Sequence, residues 1–126
     1  MEIEELVSLE VTVDDVIYMP TLETPTDKPH PFVYFITIKN NSKKKVKIVG
    51  RKWILTGLNN DKTIVEGEGV VGQFPEISSG SEFNYNSYHV IANDSEVEGA
   101  FFGETDDGDI VYTKIPKFEL SIPKWV

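Results

Sequence analysis

Val7-Ser8-Leu9-Glu10-Val11-Thr12-Val13 alternates apolar and polar side chains at every step. Successive residues of a strand point to opposite faces, so this stretch predicts a half-buried β-strand with Val7, Leu9 and Val11 inward. Phe32-Val33-Tyr34-Phe35-Ile36-Thr37-Ile38 is apolar or aromatic at nearly every position, which predicts a strand buried on both faces. Between them, residues 19–31 hold four prolines and predict a loop over one end of the fold. Asn40-Asn41-Ser42 predicts a turn, Val46 to Leu55 a third strand carrying Trp53, and Asn59-Asn60-Asp61 a hairpin into Thr63-Ile64-Val65.

The second half repeats the style. Phe83, Tyr85 and Ser87 recur at period two, and Gly99 to Phe102 reads as a short strand. Asp106-Asp107-Gly108-Asp109 is a turn of the Asp-Gly type, returning through Ile110-Val111-Tyr112. Ile115-Pro116 is expected to break the ladder before Phe118, Leu120 and Ile122 close the fold. Composition agrees: 14 Val and 12 Ile against six Leu and two Ala suit pleated strands rather than helices. Short strands with turn signals every 8–12 residues or so predict an all-β antiparallel sandwich of the immunoglobulin or fibronectin type III kind. One domain over residues 1–126 is expected, with Val7, Leu9, Val11, Phe32, Tyr34, Ile36, Ile38 and Trp53 in its core.

Several function classes fall away. With no cysteine there are no disulfides, cysteine zinc sites or thiol chemistry. No run approaches the ~18 apolar residues that a spanning helix needs, and the N-terminal Met-Glu-Ile-Glu-Glu is acidic where a secretory leader is basic. A cytoplasmic location and no membrane association are expected. Twenty-one acids against twelve bases give a net charge of −9, and Arg51 is the only arginine, so nucleic acid is not an expected partner. Charge is unevenly spread: six of the bases lie between Lys43 and Lys52, and seven acids between Asp94 and Asp109. If these segments lie at different ends of the sandwich the surface is dipolar. Lys44, Lys45 and Lys47 then form a docking patch for an acidic protein.

Two longer-range patterns stand out. The first is Arg51-x-Trp53-Ile54 followed by Gly67-Glu68-Gly69-Val70-Val71-Gly72 and Pro75. The second is Gly80-x-x-Phe83-x-Tyr85-x-Ser87, Gly99 with Phe101, and Ile115-Pro116-x-Phe118-x-Leu120-x-x-Pro123. Together they resemble the ApaG family over essentially the whole chain. The resemblance implies a fibronectin type III-like sandwich and no established reaction. It also implies a link to cobalt and magnesium tolerance in bacterial members, and protein binding where such domains are appended to eukaryotic proteins. The chain departs from many relatives at Lys52, where they carry His, and at Gln73-Phe74, where they carry Glu-Gln.

Gly67 to Gly72 also spells G-x-G-x-x-G. In dinucleotide-binding folds that string joins a strand to a helix whose amides hold a pyrophosphate. Here no helix can start before Ser78-Ser79-Gly80, and Glu66 and Glu68 flank the proposed anion. The structural expectation is a bulge with close backbone approach. The functional alternative is a small-molecule or pyrophosphate site of Gly67, Gly69, Gly72, Arg51 and Lys52. His30 and His89 have no paired-ligand spacing, no Gly-x-Ser-x-Gly elbow is present, and the Asp106–Asp109 cluster lacks calcium-loop spacing. No catalytic residue, metal ligand or cofactor is assigned. Weak binding of an anion or a hard divalent cation is the second alternative. The leading expectation is a non-enzymatic module that binds a protein. Arg51 and Trp53 lie on one side of their strand, which reads as a core Trp with Arg51 stacked or capping at the strand's entry, the alternative being an aromatic-plus-cation contact surface.

Overall fold

A computed structural model describes residues 3–126. Among these residues nine strands form two facing sheets: β1 (Glu4–Glu5), β2 (Leu9–Tyr18), β3 (His30–Asn40), β4 (Val46–Thr56), β5 (Lys62–Glu68), β6 (Glu76–Ile77), β7 (Glu82–Ile91), β8 (Ser95–Thr105) and β9 (Ile110–Leu120). One sheet runs β1-β9-β8-β4-β5 with β6 also on β4, and the other runs β2-β3-β7. All pairings are antiparallel except the short β1–β9 contact. The architecture is the predicted β-sandwich, and the one helical element among the described residues is a single 3-10 turn, Leu58–Asn60.

Period two does place the core. Leu9, Phe32, Tyr34, Ile36, Ile38 and Trp53 are buried, and Val11 packs against them half-buried. Beneath the three-stranded sheet, Trp53 meets Phe101 and Phe118 edge-on at ring distances of 6.2 and 6.1 Å, and Tyr34 at 4.9 Å. Such offset and edge-to-face contacts add to the area that large aromatics bury.

Five local expectations are corrected. Val7 is 77% exposed and lies in a turn before β2, because the chain there is still crossing from one sheet to the other. Alternation in the sequence simply ran past the strand. β3 is fully buried on one face only: Val33, Phe35 and Thr37 are half-buried, since nothing stacks on the outside of a two-layer sandwich. β3 also starts at His30, inside the segment expected to be loop, with Pro31 buried in the strand. β8 spans eleven residues rather than the short Gly99–Phe102. Pro116 does not break β9. Pairing passes from Phe118 opposite Val97 to Ile115 opposite Gly99, so Pro116 and Lys117 sit in a bulge facing Glu98. A bulge accommodates a missing donor without ending the strand.

Candidate functional site

β5 and β6 run in line along the same edge of β4, interrupted by one excursion. Gly69 N–H donates to the Val49 carbonyl at 2.9 Å, and Ile48 N–H to that of Pro75 at 2.9 Å. Between these anchors the chain leaves the sheet as a tight hairpin. Val70 and Gln73 exchange two backbone hydrogen bonds of 2.9 and 2.8 Å around Val71 (φ 43°) and Gly72 (φ 77°). Two consecutive positive φ values are the signature of a two-residue turn whose twist matches the flanking strands. Gly69 (φ 59°) has no alternative, because a side chain there would strike the Gln73 carbonyl oxygen.

Arg51 explains Gly67. The two are opposite each other in the β4–β5 ladder and share the inner face with Trp53. The guanidinium lies across Gly67, where a side chain would have to displace it, and Nη1 donates to the carbonyls of Glu68 (2.8 Å) and Gly69 (3.2 Å). Lys52 is on the opposite face, 3.6 Å from Glu66. The structure thus brings Arg51, Gly67 and Gly69 together, leaves Gly72 at the hairpin tip, and turns Lys52 away. The amides of Gly69, Val70 and Gln73 already donate to carbonyls.

The hairpin presents apolar surface. Val71 and Phe74 are 46% and 47% exposed, and Lys47 Nζ stands 5.9 Å from the centre of the Phe74 ring. Val71 is the costly residue. A β-branched side chain at positive φ is a genuine outlier, of order 1–3 kcal/mol, that persists only where its surroundings impose it.

The charged segments do not separate as expected. Lys44 Nζ reaches Asp107 at 2.6 Å and Asp109 at 3.8 Å, and the Asp106 amide donates to the Lys45 carbonyl. The hydrogen bond that Lys44 donates to Asp107 raises the Lys44 pKa, and the carboxylate's charge adds to the effect. The start of β4 therefore lies beside the β8–β9 turn. At the other end of β8, Glu96 and Glu98 hold Lys117 at 3.5 and 3.3 Å. The expected dipole is replaced by local pairing, because β4 and β8 are neighbours in antiparallel register. Among the described residues, no group of three or more His, Asp or Glu side chains converges as metal ligands would. Nor is any helix long and apolar enough to cross a membrane.

His30 accepts or donates across 3.0 Å to the Tyr18 hydroxyl, half-buried rather than loose in a loop. His89 is the feature that sequence reasoning missed. It is buried between Tyr34, stacked at 4.7 Å, and Trp53, edge-on at 4.9 Å. Its Nε2 and the hydroxyl of Tyr85, further back on the same face of β7, have no hydrogen-bond partner among the described residues. Burial lowers the His89 pKa to about 4 and raises those of Tyr85 and Tyr34. The alternation Phe83-Tyr85-Ser87-His89 was the available signal, since it puts His89 on the inner face.

Comparison with known proteins fits this picture. The family model described as the ApaG domain matches residues 20–104. Protein ApaG of Sodalis glossinidius is 35% identical over 111 residues, which cover 87% of this chain and 89% of that protein. An X-ray structure solved as Northeast Structural Genomics Consortium target SoR45 superposes with a TM-score of 0.83 at 29% identity, covering 94% of this chain and 90% of its own. The putative ApaA protein from Bordetella pertussis superposes with a TM-score of 0.78 at 25% identity, covering 98% and 99%. With the sandwich, the glycine hairpin and its arginine in place, the chain belongs to the ApaG family.

Proposed function

We propose that this chain is a non-enzymatic module that binds an acidic protein through the Val70–Gln73 hairpin, Phe74 and Lys47, with Lys45 on the adjoining turn and Lys44 left to its ion pair with Asp107. The observation that carries this reading is Val71. Asn or Gly would occupy its left-handed conformation at less cost, yet the position holds a β-branched apolar side chain turned to solvent. Strain of this kind collects at binding surfaces, where the exposed side chain is what the strain maintains. Phe74 with Lys47 over its ring adds an apolar and cationic contact of the type found at the centres of interfaces.

The pyrophosphate alternative has less support. Lys52 faces Glu66 on the other side of the sheet, Glu66 and Glu68 flank the string, and two of its amides, those of Gly69 and Val70, already donate to carbonyls. Affinity capture with the tagged full-length chain tests the proposal. A stoichiometric partner held by the native chain, released by salt and lost with Lys47→Glu and Phe74→Ala, is the expected result. A partner retained equally by both variants, or none above background, overturns it.

A further inference from the structure

The two flanks of the three-stranded sheet differ in a way that the hairpin does not explain. Among the described residues, β7 is a ten-residue strand paired on one side only, and its register with β3 runs without a bulge from Glu82 to Ile91. From Phe83 to Asn93 the chain carries no Lys, Arg, Asp or Glu, although a quarter of the whole chain is charged. Natural sheets blunt exposed edges with charge, proline, bulges or a covering segment. Beyond Glu82 at its first residue, the β7 edge has none of the first three. Alternate residues along it therefore hold N–H and C=O groups ready for another strand.

The facing sheet extends one strand further than β7. Trp53 and Leu55 of β4 are buried beneath the three-stranded sheet, whereas Val65 and Thr63, beside them on the inner face of β5, are exposed. A shelf one strand wide thus projects past the open edge. Its far end is a small pocket lined by Leu55, Thr63, Val90 and Ile91. At its near end lies the Arg51 guanidinium, with no carboxylate within ion-pair distance among the described residues.

We infer that the β7 edge, over the shelf formed by β5 and Arg51, is a strand-addition site for an extended segment of a protein partner. That segment would carry an inward carboxylate over Arg51 and an inward β-branched or apolar residue over Val65. Main-chain bonding to β7 supplies affinity, and alternate side chains reaching the shelf supply specificity. A second copy of this chain does not suit the site. Neighbouring strands lie ~4.8 Å apart, so antiparallel β7–β7 pairing would drive β5 of each copy into β4 of the other. A single strand fits the shelf; a second sandwich does not. The site uses none of the exposed hairpin side chains, although Arg51 also donates to the Glu68 and Gly69 carbonyls at the hairpin's base, and it stands or falls without the hairpin surface.

Linear peptides displayed on phage and selected on the immobilised full-length chain provide the probe. Selected sequences should alternate at period two, with an acid two residues from a β-branched or apolar residue. On binding, alternate amides between residues 83 and 91 should become protected from hydrogen exchange. Changing the peptide acid to its amide, or Val65→Arg in the protein, should each weaken binding about tenfold or more. Val65 is on an exposed strand, so its variant should fold, which native amide dispersion checks. Val71→Asn and Phe74→Ala should leave peptide affinity unchanged, which separates this site from the hairpin. Selection of no peptide, protection elsewhere, affinity indifferent to Val65→Arg, or a dimer joined through β7 would each overturn the assignment. Partner capture through the hairpin without peptide binding at β7 would sink this site alone.

Discussion

The sandwich is closed on one flank and open on the other. On the closed flank the chain itself crosses between sheets: β1 pairs with β9, Leu6 N–H donates to the Tyr112 carbonyl at 2.8 Å, and β2 begins three residues later. The Thr113 hydroxyl donates to the Leu9 carbonyl, tying β9 to β2 across the layers. β2 is further protected by a bulge between Val13 and Asp15 and by the two aspartates at that point. On the open flank, β5 and β7 share no crossover, and β7 is regular and uncharged along most of its length. Both flanks use the same β-rich composition. What differs is which edge carries the devices that prevent pairing, so an open edge here is a property of particular residues and not of sandwiches in general.

The largest test of that contrast is Trp53→Ala. Trp53 is the floor beneath β7, in contact with Tyr34, His89, Phe101 and Phe118. Emptying the site should cost ~3–5 kcal/mol in denaturant unfolding. Amide exchange should quicken more along β7 than along β2, whose ties to β9 do not involve Trp53. A loss below ~1 kcal/mol, or equal loosening of both flanks, would break the comparison.

His89 gives the open flank a pH dependence. Its pKa is about 4 when folded against an ordinary 6.5, so between these values the unfolded chain binds a proton that the native state does not. Stability is therefore fully present above pH 6.5 and falls as pH drops toward 4, by about 3 kcal/mol at the low end of that window. In His89→Phe that share of the acid slope should vanish. Stability at pH 7 should hold or rise, since the unpartnered Nε2 is gone. Equal slopes for the two proteins in urea titrations from pH 7 to 4 would show that His89 is charged or hydrated in the fold.

Val71→Asn probes the excursion that interrupts the open flank's outermost strand. Asn tolerates positive φ far better than Val, so the substitution should stabilise the chain by about 1 kcal/mol. Partner capture through the hairpin should weaken at the same time. A thermal midpoint that falls would mean that Val71 packs in the fold, and that its conformation is compensated there.

How much of this could be read beforehand depends on the range of the interaction. Leu9, Tyr34, Ile38 and Trp53 were legible because period two is local and burial follows from it. Val7 was misplaced because local alternation says nothing of where a strand gains its partner. Pro116 was misjudged for a similar reason: whether a missing N–H matters depends on the bulge opposite Glu98. At Gly67 to Gly72 the close backbone approach was legible, whereas the hairpin and the guanidinium lying on Gly67 were not. Flanks are the extreme case. Nothing within residues 83–93 says that their strand ends a sheet, although the absence of charge there was visible from the start.

The smallest expected effect separates bulge from charge as the guard of β2. The Thr37 hydroxyl stands 2.5 Å from the Asp14 carboxylate and 2.6 Å from the Asn84 side-chain oxygen, sharing one proton between them, and Asp15 accepts a hydrogen bond from the Val16 amide. Asn at either position preserves an acceptor oxygen while removing the charge. If the bulge is what prevents pairing, the double variant Asp14→Asn with Asp15→Asn should aggregate no earlier than the native chain, by light scattering during slow heating. The matched change on the other flank is Asn84→Lys with Asn86→Lys, which adds to exposed positions of β7 the charge that edges usually carry. That pair should delay aggregation and reduce selected-peptide binding, with little change in the unfolding midpoint. Should the aspartate pair bring aggregation forward while the lysine pair changes nothing, electrostatics rather than backbone geometry guards β2, and β7 is already closed by some other means.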